Sequence, residues 1–251
     1  MRPNGIFLVA LACGATAQAH AQDLAGICHA SSSYDLTIAP DSLLFDRAGP
    51  APRRIQLDDG KLGIDGASLR LNTEDRDRLA LFEQQLRALV PKARGVAVNG
   101  VDLAIKAVRA ETATLGVSAD TQAQLDTKLA ARGAELKRRI AASTSTHDWQ
   151  GDPFDRYADD IAEDIAPLLA ADLAQQAVAA AVNGDFDDAA SLRDRAADLT
   201  GDLQPRMERR MQALRPQVQA LCPAIKRLHE LQRDVRGANG RPLDLLDVEK
   251  K

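Results

Sequence analysis

The chain has 251 residues, 45% of them hydrophobic and 3% aromatic, with a formal net charge of −4. That composition suits a folded, water-compatible chain with enough apolar material for a core. Scarce rings argue against a sugar-binding cleft or a base-stacking platform, and the negative balance argues against general attraction to nucleic acid or anionic lipid.

Arg2 supplies a short positive start, Ile6 to Ala12 an apolar core, and Ala19-His20-Ala21 the small-x-small pattern of a cleavage site. Residues 1–21 therefore read as a secretory signal peptide, with a mature chain from Gln22. The apolar run is too short to span a bilayer, so no integral membrane segment is expected after cleavage. An uncleaved anchor and lipidation at Cys13 are the alternatives. Against the second, Ala10-Leu11-Ala12 lacks the large aliphatic residue usual three positions before a lipidated cysteine.

Loss of the signal leaves Cys28 and Cys222 as an even pair in a compartment where disulfides persist. A bridge would close a loop of about 195 residues, worth roughly 5 kcal/mol as an upper figure. Two buried thiols are the alternative. Metal binding lacks the short ligand spacing, since only His29 adjoins one of the two.

Tyr34, Leu36 and Ile38 alternate and predict a strand that Pro40 ends; Ser42 to Asp46 predicts a second. Asp59-Gly60 and Asp65-Gly66 then separate three short alternating runs, and each pair suits a two-residue type I′ turn. The first turn sets Leu57 opposite Leu62 and Ile55 opposite Ile64. The second sets Ile64 opposite Ala67 and Leu62 opposite Leu69. Both registers place Ile55, Leu57, Leu62, Ile64, Ala67, Leu69 and Leu71 on one face, which predicts a three-stranded meander. Polar loops with chance alternation are the alternative.

That face needs a cover. Asn72 or Thr73 caps the next helix, with Glu74 and Asp75 in its first turn. Leu79, Phe82, Leu86 and Leu89 form its apolar stripe, and Pro91 is expected to end or kink it. Beyond Pro91 the pattern is helical almost to the end. Ala97 to Leu115 continues a stripe, Ser118 caps a helix carrying Leu125, Leu129, Leu136 and Ile140, and Ala142 to Gly151 is a loop. Asp152-Pro153 starts another helix with Phe154, Tyr157, Ile161, Ile165 and Leu168 on its face. Asn183-Gly184 ends it and Asp185 caps the next. Met207, Met211, Leu214, Val218, Leu221, Ile225, Leu228 and Val235 form a last long stripe. The expected fold is α+β. A small antiparallel sheet over 22–72 packs against a mainly helical region over 73–236, as a bundle or antiparallel coiled coil. Residues 237–251 are expected to be a loose tail.

No catalytic, cofactor or metal constellation stands out. His29, His147 and His229 carry no metal-ligand spacing, and no nucleophile elbow or phosphate loop is present. Asp185-Phe-Asp-Asp188 lacks the oxygen spacing and closing glutamate of a calcium loop, and helix capping explains it. Asp152, Asp155, Asp159, Asp160, Glu163 and Asp164 form an acidic stretch. Arg206, Arg209, Arg210, Arg215, Lys226 and Arg227 form a basic one. They read either as solvated faces that attract each other within the fold, or as a docking surface for an envelope partner at the arginines.

Cys28 near the mature start, the strand ending Ile38-Ala-Pro40, the 59–71 run, the helix ending Leu89-Val90-Pro91 and the late Cys222 together resemble the YggN-like family of proteobacterial periplasmic proteins, whose function is unknown. The resemblance covers about 28–110 and the region of Cys222. It implies export to the periplasm and pairing of the two cysteines, and it carries no catalytic residues. The function expected is non-enzymatic binding of an envelope protein or an unfolded client. A small apolar ligand or lipid held between sheet and helices is the second reading, and a hydrolase with an unrecognised site the third.

Overall fold

The structure is a computed structural model that describes residues 26–149, 152–201, 209–237 and 240–249, with side chains left aside at 152–162 and 196–201. The expected signal peptide and Cys13 lie outside the described residues.

Strands β1 (Ala30–Ser31), β2 (Asp35–Ile38), β3 (Leu43–Asp46), β4 (Arg54–Asp58), β5 (Lys61–Ile64) and β6 (Ala67–Leu69) precede the long helices. Strands β2 to β6 pair in sequence order as one antiparallel sheet. Asp59 and Gly60 both take positive φ, as do Asp65 and Gly66, the conformation of the type I′ turn. The register is the one those turns dictate. Ile55 faces Ile64, Leu57 faces Leu62, Leu62 faces Leu69 and Ile64 faces Ala67. Leu43, Ile55, Leu57 and Leu62 are buried on the covered face.

The cover begins with helix α1 (Thr73–Leu115), capped where Asn72 Oδ1 accepts the Asp75 N–H at 2.7 Å. Leu79 and Phe82 are buried against the sheet, and the Phe45 and Phe82 rings lie 6.2 Å apart. Of the end or kink expected at Pro91, the end is corrected: α1 runs through it to Leu115. A proline removes one helix bond, and packing holds both sides. Leu86 and Leu89 rest on the sheet core, and Leu89 and Val96 on a second cluster around Cys28.

Gly116 ends α1 at φ 72°, and Ser118 caps α2 (Ala119–Ala142), which returns beside α1. The link after α2, a 3-10 turn at Thr146–Trp149, lies along strand β2. There the Ile38 N–H donates to Thr144 O at 2.8 Å and the Leu36 N–H to Thr146 Oγ1 at 2.9 Å. These bonds occupy donors of an edge strand that would otherwise be open. Helices α3 (Asp152–Val182) and α4 (Phe186–Gly201) form an antiparallel hairpin. Leu125, Leu129 and Leu169 bury themselves where α2 meets α3.

Two further expectations are corrected. The last long stripe is not one helix. It breaks into a 3-10 turn at Gln212–Leu214, α5 (Arg215–Gln219) and α6 (Cys222–Arg233). Pro216 and Pro223 each stand in the first turn of a new piece, where a missing N–H costs nothing. Nor is the C-terminus loose from Arg241 to Glu249. Strand β7 (Asp247–Val248) pairs with β1, and Leu243 and Leu245 are buried in the sheet core beside Leu228 and Val235. Sheet, N-terminal stretch of α1, α6 and C-terminal segment thus form one layered end of the molecule, from which α1, α2 and the hairpin run outward.

Candidate docking surface

At the layered end, Cys28 and Cys222 form a disulfide with α-carbons 5.1 Å apart. Beside it is a cavity of about 220 Å³ lined by Ile27, Cys28, His29, Cys222, Lys226 and Glu249. The other histidines stand elsewhere. His147 Nε2 lies 3.1 Å from Asp46 Oδ2, and His229 Nδ1 lies 2.9 Å from Leu246 O. Among the described residues, no three His, Cys, Asp or Glu side chains are placed to hold a metal ion together.

The interface expected to hold an apolar ligand is filled. Leu43, Ile55, Leu57, Leu62, Leu79 and Phe82 meet there with exposures of 2% or less.

The arginines are divided. Arg206 lies outside the described residues. Arg209 and Arg215 are exposed. Arg210 is engaged within the fold, with Nη2 2.8 Å and Nε 2.9 Å from Oε1 of buried Glu111 on α1. The acidic stretch does not meet these arginines where it is described. Asp164 pairs with Arg132 of α2 at 2.9 Å, and Lys128 stands 3.8 Å away. Hydrogen bonding to the Arg132 guanidinium holds the Asp164 carboxyl below the usual carboxylate range. The side chains of Asp152, Asp155, Asp159 and Asp160 lie outside the described residues.

The remaining feature is the free end of the α3–α4 hairpin. Where α3 passes the α1–α2 turn, Asp172 is buried and accepts four bonds. Ser118 N–H donates at 2.9 Å, Thr121 Oγ1 at 2.9 Å and Gln176 Nε2 at 2.6 Å, and the Ser118 hydroxyl also donates. Burial alone would raise this carboxyl's pKa; the hydrogen bonds outweigh burial and hold it low. Gln176 also donates to Gly116 O at 3.2 Å, and Arg195 of α4 to Leu115 O at 3.5 Å. Leu173 and Leu192 are buried at the same level.

Past that level nothing is buried. Every side chain from 174 to 191 is partly or fully exposed. From Asp172 to Val182 the helix continues ten residues, about 15 Å at 1.5 Å per residue. The turn is built as expected: Gly184 takes φ 82°, and Asp185 Oδ1 accepts the Asp188 N–H at 3.1 Å. Among the described residues, the exposed large apolar side chains gather here, Val178 at 64%, Val182 at 80% and Phe186 at 72%. Asp185, Asp187 and Asp188 flank Phe186 at the turn and the start of α4, and residues 173–192 hold no lysine or arginine. The sequence marks this stretch as a helix end at Asn183-Gly184 and a cap at Asp185, with no surface role for its valines and phenylalanine. The missed signal is a valine pair four residues apart running straight into Asn-Gly-Asp-Phe, with alanines between to let the two helices approach.

The span Glu163–Val182 is long and apolar enough, by length and composition, to cross a membrane. Its middle is occupied by Asp172, already committed to capping α2.

In comparison with known proteins, the family model described as "Protein of unknown function (DUF2884)" matches residues 28–244. No curated protein and no solved structure matches.

Proposed function

The chain belongs to the DUF2884 family, whose function is unknown, and from its own geometry we propose a non-enzymatic binding protein of the cell envelope, one that holds another exported protein or an unfolded client. The apolar end of the α3–α4 hairpin carries this reading. Monomeric soluble proteins seldom gather their exposed large apolar side chains on one projection unless something binds there. The Cys28–Cys222 disulfide supports export to an oxidising compartment, as does the signal-like start. On the residues quoted above we read the family as the YggN-like group of the proteobacterial periplasm.

The test is suppression of client aggregation, followed by light scattering as an unfolding client is mixed with equimolar protein. The native protein should delay the rise, and the variant Val178→Ser/Val182→Ser/Phe186→Ser should not. These positions are exposed, so circular dichroism of the variant should match the parent. A native protein that neither delays scattering nor retains any envelope protein in a pull-down overturns the reading. Export is checked separately by intact mass. A start at Gln22 is expected, and a diacylated species beginning at Cys13 would place the protein on a membrane instead.

A further inference from the structure

Resting on the binding role just proposed, the geometry points to the class of partner: we propose that the hairpin end docks a cationic amphipathic helix of another exported polypeptide, its apolar side on Val178, Val182 and Phe186 and its lysines or arginines against Asp185, Asp187 and Asp188.

Two observations select that occupant. The first is shape. Ala170, Ala174, Val178 and Val182 follow one another at four-residue intervals along α3, and all four are exposed. Residues spaced by four form a ridge that packs into the groove of a second helix, and alanine lets the two backbones approach. The second is charge. The three aspartates stand at the tip with no described lysine or arginine among residues 173–192 to neutralise them. They complement the start of α4 electrostatically and remain exposed. An apolar ridge with an anionic end matches an apolar stripe flanked by cations.

The same charges disfavour the other occupants. A second copy docking tip to tip would bring three more aspartates against these three. An anionic lipid surface would repel them.

The experiment uses the full exported protein and two labelled amphipathic peptides of equal length and apolar content, one built from leucine and lysine and one from leucine and glutamate. Binding is read by fluorescence anisotropy. The lysine peptide should bind, the glutamate peptide should bind about tenfold or more weakly, and added salt should narrow the gap because exposed charges are screened. Val178→Ser/Val182→Ser/Phe186→Ser should weaken the lysine peptide about tenfold or more, since that apolar surface no longer gains by burial. Asp187→Lys/Asp188→Lys should reverse the preference. A control with the same change in net charge, Asp41→Lys/Glu230→Lys, should leave it unaltered.

Equal binding of both peptides, lost in the serine variant, would keep the binding role and overturn the charge assignment. Peptide binding untouched by the serine variant would place the site elsewhere and overturn the proposal. So would co-sedimentation with zwitterionic vesicles in place of peptide binding, or self-association that the serine variant abolishes. If neither peptide binds and aggregation is not delayed either, the binding role falls with it.

Discussion

Asp172 accepts the Ser118 N–H at 2.9 Å, so a carboxylate in the middle of α3 completes the cap of a helix whose N-cap lies 54 residues earlier. The hairpin is thereby bolted to the α1–α2 turn at the level where it leaves the body of the molecule. Asp172→Ala should cost about 1–3 kcal/mol, because it strands donors that Ser118 and Thr121 aim at a buried acceptor. The effect has a pH signature. The folded carboxyl titrates below its ordinary value of 3.8, so its contribution is complete above that value and fades as pH falls through the folded one. The stability difference between native protein and variant, from urea unfolding, should therefore be constant at neutral pH and shrink in stronger acid. A difference that persists unchanged in strong acid would show that the carboxylate is not the anchor.

The two meander turns make a paired prediction. Gly60 and Gly66 both take positive φ, 75° and 86°. A methyl group on Gly66 would meet nothing within 4 Å, whereas one on Gly60 would sit 2.5 Å from Arg76 O on α1. Gly66→Ala should cost about 1 kcal/mol, the strain of a left-handed alanine. Gly60→Ala should cost about 1–3 kcal/mol more, because backbone must move. Denaturant midpoints decide the matter, and equal losses would mean that α1 does not rest on the first turn.

The contrast between legible and illegible parts of this chain is physical. The meander could be read because two Asp-Gly turns impose registers that must agree, and a slip would expose Leu57 and Leu62 together. The caps at Asn72, Ser118 and Asp185 could be read because each acts within three residues of itself. What escaped depends on contacts distant in sequence. Pro91 stays inside α1 because packing on both sides outweighs one lost bond. The C-terminal segment is held because Leu243 and Leu245 complete the core of a sheet formed by residues 35–69. The hairpin tip escaped for the opposite reason: its valines and phenylalanine look like core residues until the fold leaves them outside.

Gln232 shows how that late segment is held. It is 2% exposed on α6, its Oε1 accepts the Leu245 N–H at 2.8 Å and the Leu246 N–H at 3.2 Å, and its Nε2 donates to Leu246 O. One amide thus satisfies three backbone groups of that segment. Gln232→Leu should cost about 2 kcal/mol or more despite its added hydrophobicity, because buried backbone groups lose their partners. Hydrogen exchange supplies the specific readout: amides 245 and 246 should lose protection before those of the meander. Protection retained at both amides would sink the assignment.

Joining Cys28 to Cys222 closes a chain segment with a sequence separation of 194. The link is not alone. Ala30 pairs with Val248 and Ser31 with Asp247, while Cys28, Ala30, Leu221 and Ile225 share one buried cluster. The bridge therefore reinforces a contact of residues 28–31 with residues 221–225 and 247–248 that the backbone and side chains also make. Cys222→Ser should lower stability by about 2–4 kcal/mol, chiefly through a freer unfolded chain. For a chain of this size that is a fall in Tm of roughly 5–15 °C. Reductant should lower the Tm of the native protein by a similar amount and leave the variant unchanged, while both retain the same circular dichroism. Non-reducing peptide mapping should recover residues 28 and 222 in one linked pair. Free thiols at both positions in exported protein would remove the bridge, and a variant whose Tm still falls on adding reductant would show that Cys28 forms a disulfide elsewhere, with Cys13 or with a second copy of the chain.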